Sequence, residues 1–239
     1  MADPTHDDSY DGTIDWDDHW RDADETIRDR DSPSAQHGAK ALGDFAAKRR
    51  TPDAVADVGC GPGVATLYLA DRFPESTVTG YDAAPAVLDD ARDRAREKGV
   101  ENVRFEQATL PAFDPDREFD IVFSYFTLCY VADVERALQA LYNAVAPGGA
   151  LVCNYVNSLA LPHFRRVAEA PHEHAEFPFV FDPDQFTERF DALLAGESVL
   201  SYDRIHETLG TWPQSVWSVV DRPEKRWAWR HMPLVYVPK

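Results

Sequence analysis

Apolar positions along the 239 residues follow two different periods. Between Ala54 and Tyr155, short apolar runs alternate with stretches whose apolar residues recur every three or four positions, the spacing of one helical face. The runs predict strands over Ala54–Val58, Thr77–Tyr81, Val103–Phe105, Phe119–Phe126 and Ala150–Tyr155. The stretches between them predict helices over Val64–Phe73, over Pro85–Lys98 with Gly99 as its stop, and over Val134–Val145, stopped by Pro147-Gly148-Gly149. Upstream, Ala35, Ala39, Leu42, Phe45 and Ala46 keep helical spacing from a Ser32-Pro33-Ser34 start to a basic Lys48-Arg49-Arg50 end. Strands alternating with helices need right-handed crossovers, which build a doubly wound, mainly parallel sheet.

Beyond Asn157 the pattern changes. Pro162–Glu169 and Asp184–Leu194 read as helices, Ser198–Thr208 alternates as an exposed strand would, and Leu234–Val237 is a last strand. No regular helical pattern separates the final two strands, so antiparallel pairing is open to them. The expectation is an α/β fold on a seven-stranded, mainly parallel sheet with an antiparallel C-terminal strand. No repeat or low-complexity linker breaks residues 32–239, which predicts one domain there. Residues 1–31 are dominated by Asp but include Tyr10, Trp16, His19 and Trp20. Trp16 and Trp20 stand one helical turn apart and Ile27 follows, so this acidic segment reads as an ordered cap rather than a solvated tail.

Composition narrows the function classes. Hydrophobic residues make up 44% and aromatics 12%, as in a globular chain, and the formal net charge is −18. Lysine occurs only at Lys40, Lys48, Lys98, Lys225 and Lys239, and Asp far outnumbers Glu, a haloarchaeal type of balance that suits concentrated salt. There is no basic stripe to neutralise phosphates, which argues against a nucleic-acid partner. The opening residues MADPTHDDSYDG lack an apolar run, and the apolar run Ile121–Ala132 is too short to span a bilayer. Cys60, Cys129 and Cys153 lie in core segments without CxxC spacing, so neither disulfide nor zinc is implied. A cytoplasmic protein without a membrane partner is expected, its oligomeric state open.

"VADVGCGPG", residues 55–63, carries the chemistry. A strand, a glycine-rich turn and a helix make a ligand site at the carboxyl end of a sheet. Gly59, Gly61 and Gly63 depart from the G-x-G-x-x-G dinucleotide spacing, since Val64 stands three after Gly61. Asp57 departs further, because a carboxylate suits a cationic ligand group and opposes a pyrophosphate. Followed by "VTGYDAAP", "EFDIVFSYFTLCYV" and "LYNAVAPGGALV", this segment resembles the class I S-adenosylmethionine-dependent methyltransferases over about residues 53–156.

That resemblance implies S-adenosylmethionine as cofactor and methyl transfer by in-line displacement; it leaves the acceptor unidentified, and a small molecule is expected. It makes residues 32–157 the cofactor-binding half and 158–239 the acceptor-shaping half. Asp57 would balance the α-ammonium, and Gly59, Cys60, Gly61 and Gly63 would hold the amino-acid end. Asp82 would accept the ribose hydroxyls beside Ala83. Gln107 and Ala108 would meet the adenine, with Glu106 as the alternative to Gln107. Ser124 and Tyr125 would close the site, and Trp16, Trp20 and Tyr10 are candidates for a lid over the sulfonium. Tyr125 and Tyr130 fit packing or a pocket equally. "SYFTLCYV" lacks the catalytic dipeptide or acidic-proline motif of amino-group acceptors, and no catalytic residue is assigned. His163, His172, His174, Glu173 and Glu176 lack metal-ligand spacing and read as surface residues, so no metal is expected. Trp217, Trp227 and Trp229 fit a hairpin packed on the sheet or an acceptor pocket. Two other functions stay open: an NAD(P)-dependent oxidoreductase, and a protein that binds S-adenosylmethionine without methylating or uses it for aminopropyl transfer.

Overall fold

A computed structural model describes residues 14–23, 33–175, 182–222 and 228–239. One seven-stranded sheet runs in the order β3-β2-β1-β4-β5-β7-β6. Its strands are β1 (Ala54–Val58), β2 (Thr77–Asp82), β3 (Val103–Gln107), β4 (Phe119–Ser124), β5 (Val145–Asn154), β6 (Gln214–Ser215) and β7 (Leu234–Pro238). β1 to β5 are parallel, and β7 runs antiparallel to both β5 and β6. The expected α/β, Rossmann-like architecture is therefore present. The chain leaves β1 towards β2 and β3 and returns to β4 on the other side. That reversal opens a crevice at the carboxyl ends of β1 and β4, where ligands of such sheets bind.

Helices α1 (Trp16–Asp22), α2 (Pro33–Arg49), α3 (Val64–Arg72), α4 (Pro85–Lys98) and α5 (Val134–Asn143) belong to the first part of the chain. They are followed by α6 (Leu161–Glu169), α7 (Phe186–Arg189), α8 (Asp191–Ala195), α9 (Tyr202–Leu209) and α10 (Ala228–His231). All five positions of β1 are buried, as in a parallel strand covered on both faces. Val55, Phe123 and Val152 meet Leu42, Phe45 and Leu69 of α2 and α3 on one face. Val58, Val122 and Leu151 meet Leu138 and Leu141 of α5 and Ile205 of α9 on the other. Each such side chain contributes roughly 1.5–3 kcal/mol by leaving water.

Four expectations change. The helix expected to end at Val145 stops at Asn143, and Val145 starts β5 by pairing with Phe119. Pro147-Gly148-Gly149 is then a bulge inside the strand: the register shifts before Ala150 pairs Ile121, and Lys239 bonds both Gly148 and Gly149. β4 ends at Ser124 instead of Phe126, because Phe126 turns to φ 58° and gives its N–H to Asn154 Oδ1. Most of Ser198–Thr208 is the helix α9, not a strand. Ser201 Oγ accepts from Arg204 N at 3.1 Å, Gly210 ends it in a left-handed turn, and Ile205 is the buried anchor. The sixth strand is instead Gln214–Ser215, whose two residues are too few to show a period. Lastly, Asp184–Leu194 breaks at the fully buried Phe190 into α7 and α8.

Of the acidic N-terminal segment, α1 is a helix capped by Asp15, which accepts from Asp18 N at 3.0 Å. Asp17 Oδ1 accepts from Ala86 N at 2.8 Å, fastening α1 across the start of α4, and Trp20 packs with Ala84 and Val87. Tyr10, Ile27, Glu176 and Trp227 lie outside the described residues.

Candidate active site

The apolar run of β1 delivers Asp57 to the interior with only 2% of its surface exposed. The run continues into α3, and Thr66 in its first turns donates from Oγ1 to Asp57 Oδ2 at 2.6 Å. Burial pushes the Asp57 carboxyl up to about 7; the Thr66 hydrogen bond pulls against this, and the charge of Asp82 adds to it. Asp82 ends β2 half-buried, its carboxyl also raised by burial. Its Oδ2 accepts from Gly61 N at 2.8 Å and its Oδ1 from Ala84 N at 3.1 Å. Two carboxylates thus flank one loop, and a cation placed between them would relieve both.

The glycines serve different ends. A Cβ on Gly59, at φ 79°, would stand 2.1 Å from Thr127 Oγ1, so the chain after β4 lies directly on the loop. A Cβ on Gly63, at φ 74°, would press on Ala91 and Phe105 at 3.0 Å, so this glycine seats α3 beside α4 and β3. Gly61 has Trp20 as its nearest neighbour, 3.7 Å from the Cβ position. Cys60 contributes its backbone, with N–H bonded to Tyr81 O at 2.9 Å. Its thiol is core, packed with Leu67, Leu88 and Phe105, and burial raises it well above the usual thiol range.

A cleft of about 1290 Å³ opens beside β2 and β3, and Trp16, Ala83, Glu106, Gln107 and Ala108 line it. Gln107 gives Nε2 to Ala83 O at 3.1 Å, which leaves its amide oxygen as an acceptor. Ala108 gives its N–H to Asp82 O at 3.0 Å, closing β3 on β2. That N–H is therefore already used within the sheet, and Ala108 faces the cleft as part of its wall. Ser124 is fully buried at the end of β4, and its Oγ has no hydrogen-bond partner among the described residues. Tyr125 turns away from the cleft: its ring stacks on Phe123 and fills the space a Cβ on Gly38 of α2 would need. Its phenol is pushed up to about 12 by that burial.

Four contributors carried little signal in the sequence. Thr66 was hidden in an apolar helical run, and Thr127 in an aromatic segment. Asn154 is a buried polar residue closing an apolar strand, which was a usable hint. Arg189 gave none, since it lies in an unremarkable charged stretch. It is only 2% exposed, its guanidinium 4.8 Å from the Trp16 ring and 6.0 Å from the Tyr130 ring. Its Nη2 lies 3.3 Å from His19 Nε2. Trp16 and Tyr130 themselves pack at 4.8 Å, and Phe126, Phe164, Phe186 and Phe190 complete the cluster. Among the His residues, His172 pairs with Asp184 at 2.9 Å and His163 Nδ1 meets Arg166 at 3.3 Å. No group of three or more His, Cys, Asp or Glu among the described residues is placed to hold a metal ion. Likewise no helix of the described residues is long and apolar enough to cross a membrane.

Residues 55–149 match the family model of a methyltransferase domain. Over 114 residues the chain is 34% identical to trans-aconitate 2-methyltransferase of Methylobacterium radiotolerans, covering 48% of this chain and 42% of that one. Over 107 residues it is 41% identical to demethylmenaquinone methyltransferase of Thermus thermophilus, covering 44% and 48%. The chain spans about half the length of the curated relatives it matches. In three dimensions it is similar to the plantazolicin methyltransferase BpumL in complex with SAH. The TM-score is 0.62 at 12% identity over 90% of this chain and 87% of that one, which establishes a shared fold.

Proposed function

We propose that the chain, whose residues 55–149 match the model of a methyltransferase domain, is a class I S-adenosylmethionine-dependent enzyme that methylates a small-molecule acceptor, with the described loop and cleft as its cofactor site. The observation that carries this is Asp57, a carboxylate buried beneath the glycine loop where a dinucleotide would place its pyrophosphate. S-adenosylmethionine brings a cationic amino-acid end, a ribose, an adenine and a methyl group on a sulfonium that is already a good leaving group. The donor set fits these parts. Asp57 balances the ammonium, directly or through water, and Thr66 fixes its rotamer. Gly59, Cys60, Gly61 and Gly63, whose own N–H groups bond Tyr81 O, Asp82 Oδ2 and Cys60 O, bring the amino-acid end close to the first turn of α3, where helix N–H groups favour a carboxylate.

Asp82 is already oriented by Gly61 and Ala84, and its carboxylate oxygens have further lone pairs for ribose hydroxyls. Ala83, Gln107 and Ala108 wall the adenine, with the Gln107 oxygen as acceptor for its amino group. The unpartnered Ser124 hydroxyl marks the floor at the end of β4. Tyr125 supports that floor from behind. Trp16 and Trp20 of α1 close the site from above, excluding water, and orientation then supplies most of the rate. α1 serves as a cap, residues 32–157 as the cofactor half and 158–239 as the acceptor half. The free, buried Cys60, Cys129 and Cys153 support a reducing compartment, the cytoplasm.

Titration calorimetry in molar KCl tests the site with S-adenosylmethionine, its demethylated product and NAD. The first two should bind the wild type and lose affinity in Asp57→Ala and Asp82→Ala. Binding of NAD alone, or unchanged affinity in both variants, would overturn the reading.

A further inference from the structure

We infer that a cavity at the β5-β7-β6 end of the sheet, apart from the cofactor cleft, binds a small apolar ring compound carrying one negative charge. Among the described residues three large apolar side chains are exposed. Trp212 stacks on His206 at 4.0 Å. The other two, Leu159 at 62% and Tyr202 at 38%, line one cavity of about 600 Å³. Ligand pockets hold roughly 300–1,000 Å³, and exposed apolar groups gathered at a concave place mark a surface that something else covers.

The walls come from strand ends on the carboxyl side of the sheet. Tyr155 follows β5, Ser215 ends β6 and Leu234 begins β7. Strands lie about 4.8 Å apart, so β5, two places along from β1, stands roughly 10 Å from the glycine loop. The cofactor cleft lies the other way, beside β2 and β3, and the two cavities share no lining residue. Tyr155, Leu200 and Leu234 are buried and Trp217 is half-buried, so a flat ring finds aromatic and aliphatic neighbours. Polar groups of the wall are largely engaged with backbone. Ser201 Oγ accepts from Arg204 N at 3.1 Å, Ser218 Oγ donates to Ser215 O at 2.7 Å, and Asn157 Nδ2 donates to Arg230 O at 2.5 Å. Charge then selects the ligand. None of the residues lining this cavity is Asp or Glu, and the exposed Arg230 is the single charged one. In a chain with 42 acidic residues and a net charge of −18, that is a local reversal of sign. The cofactor cleft, by contrast, is lined by Asp15, Asp17, Glu106 and Glu188 among others. An anion here meets one cation and no competing carboxylate. Burial of the ring supplies the affinity and Arg230 the preference of sign, since an exposed ion pair contributes little. The inference rests on this cavity and not on the methyl-transfer function.

Calorimetry of the full chain at one fixed KCl concentration compares 2-naphthoate, 2-naphthalenemethanol, 2-naphthylmethylammonium and citrate. Naphthoate should bind most tightly, the alcohol and the ammonium in falling order, and citrate not at all. Leu159→Asp, a surface change that sets a carboxylate at the mouth, should weaken naphthoate about fivefold or more. Arg230→Gln should weaken it about two- to fivefold and erase its advantage over the alcohol. The inference fails if naphthoate does not bind, if the ammonium binds as tightly, or if neither variant weakens naphthoate. Displacement of naphthoate by S-adenosylhomocysteine would place the ring in the cofactor cleft and overturn the inference as well. If S-adenosylhomocysteine itself does not bind while naphthoate does, the methyl-transfer function fails and this site stands.

Discussion

Asp57 sits where the folded chain least favours a charge, and this has a measurable cost. Its carboxyl is raised from 3.8 to about 7 by burial, so between those pH values the folded state holds a proton that the unfolded state has lost. Stability from this group is intact below the unfolded value, falls as pH rises through the window, and reaches its full deficit above about 7. The three-unit difference corresponds to at most roughly 4 kcal/mol. Asp57→Asn keeps the oxygen that Thr66 bonds and removes the charge. It should raise the denaturation midpoint at pH 8 relative to wild type, leave it nearly unchanged at pH 4, and abolish cofactor binding; equal midpoints at pH 8 would refute the account. The carboxylate was legible in the sequence because its neighbours define a loop and its charge chooses among ligands. Thr66 was not, because a hydroxyl in an apolar helix acquires its partner only when α3 docks on β1. The bond from Ala108 N to Asp82 O was hidden for a related reason, since the target of a backbone N–H depends on strand register.

Among the elements, those with clear local limits were read nearly to the residue: β1, α4 with its Gly99 stop, and the antiparallel last strand. Failures gathered where an end is decided by contacts distant in sequence. β5 begins early because Val145 pairs with Phe119 of β4, and Lys239, some ninety residues on, bonds Gly148 and Gly149 in the bulge; no local signal announces either partner. The misread α9 is different, since its determinants are local. Ser201 caps it and Gly210 stops it, yet Tyr202, Ile205 and Leu209 are too few to outweigh an apparent alternation. Ser201→Ala should therefore lower stability by about 1 kcal/mol in chemical denaturation. No loss would mean that the burial of Ile205 alone holds the helix.

At the scale of the whole molecule, charge governs the conditions under which the parts assemble. Exposed pairs such as Arg92–Asp89 and Arg50–Asp53 each contribute little, so they do not offset a net −18. Raising KCl shortens the screening length from about 10 Å at 0.1 M to about 3 Å at 1 M, which removes most of the self-repulsion. The melting temperature should rise over that range, and a flat or falling profile would show that the acidic surface carries no such penalty. The sequence made this property plain, along with the sheet and its glycine loop. It did not disclose the cluster around Arg189, which joins residues of α1, α7 and the turn after β4 and exists only once the chain has closed.

That closure has a kinetic side. Trp20 stands on the glycine loop and Trp16 packs on Tyr130 of the turn after β4, so the seven residues of α1 lie across both. On the proposed function, the cofactor is not exchanged without this short helix stepping aside. Arrival and departure of the cofactor then pass through one gate, and its exchange is no faster than the lifting of α1.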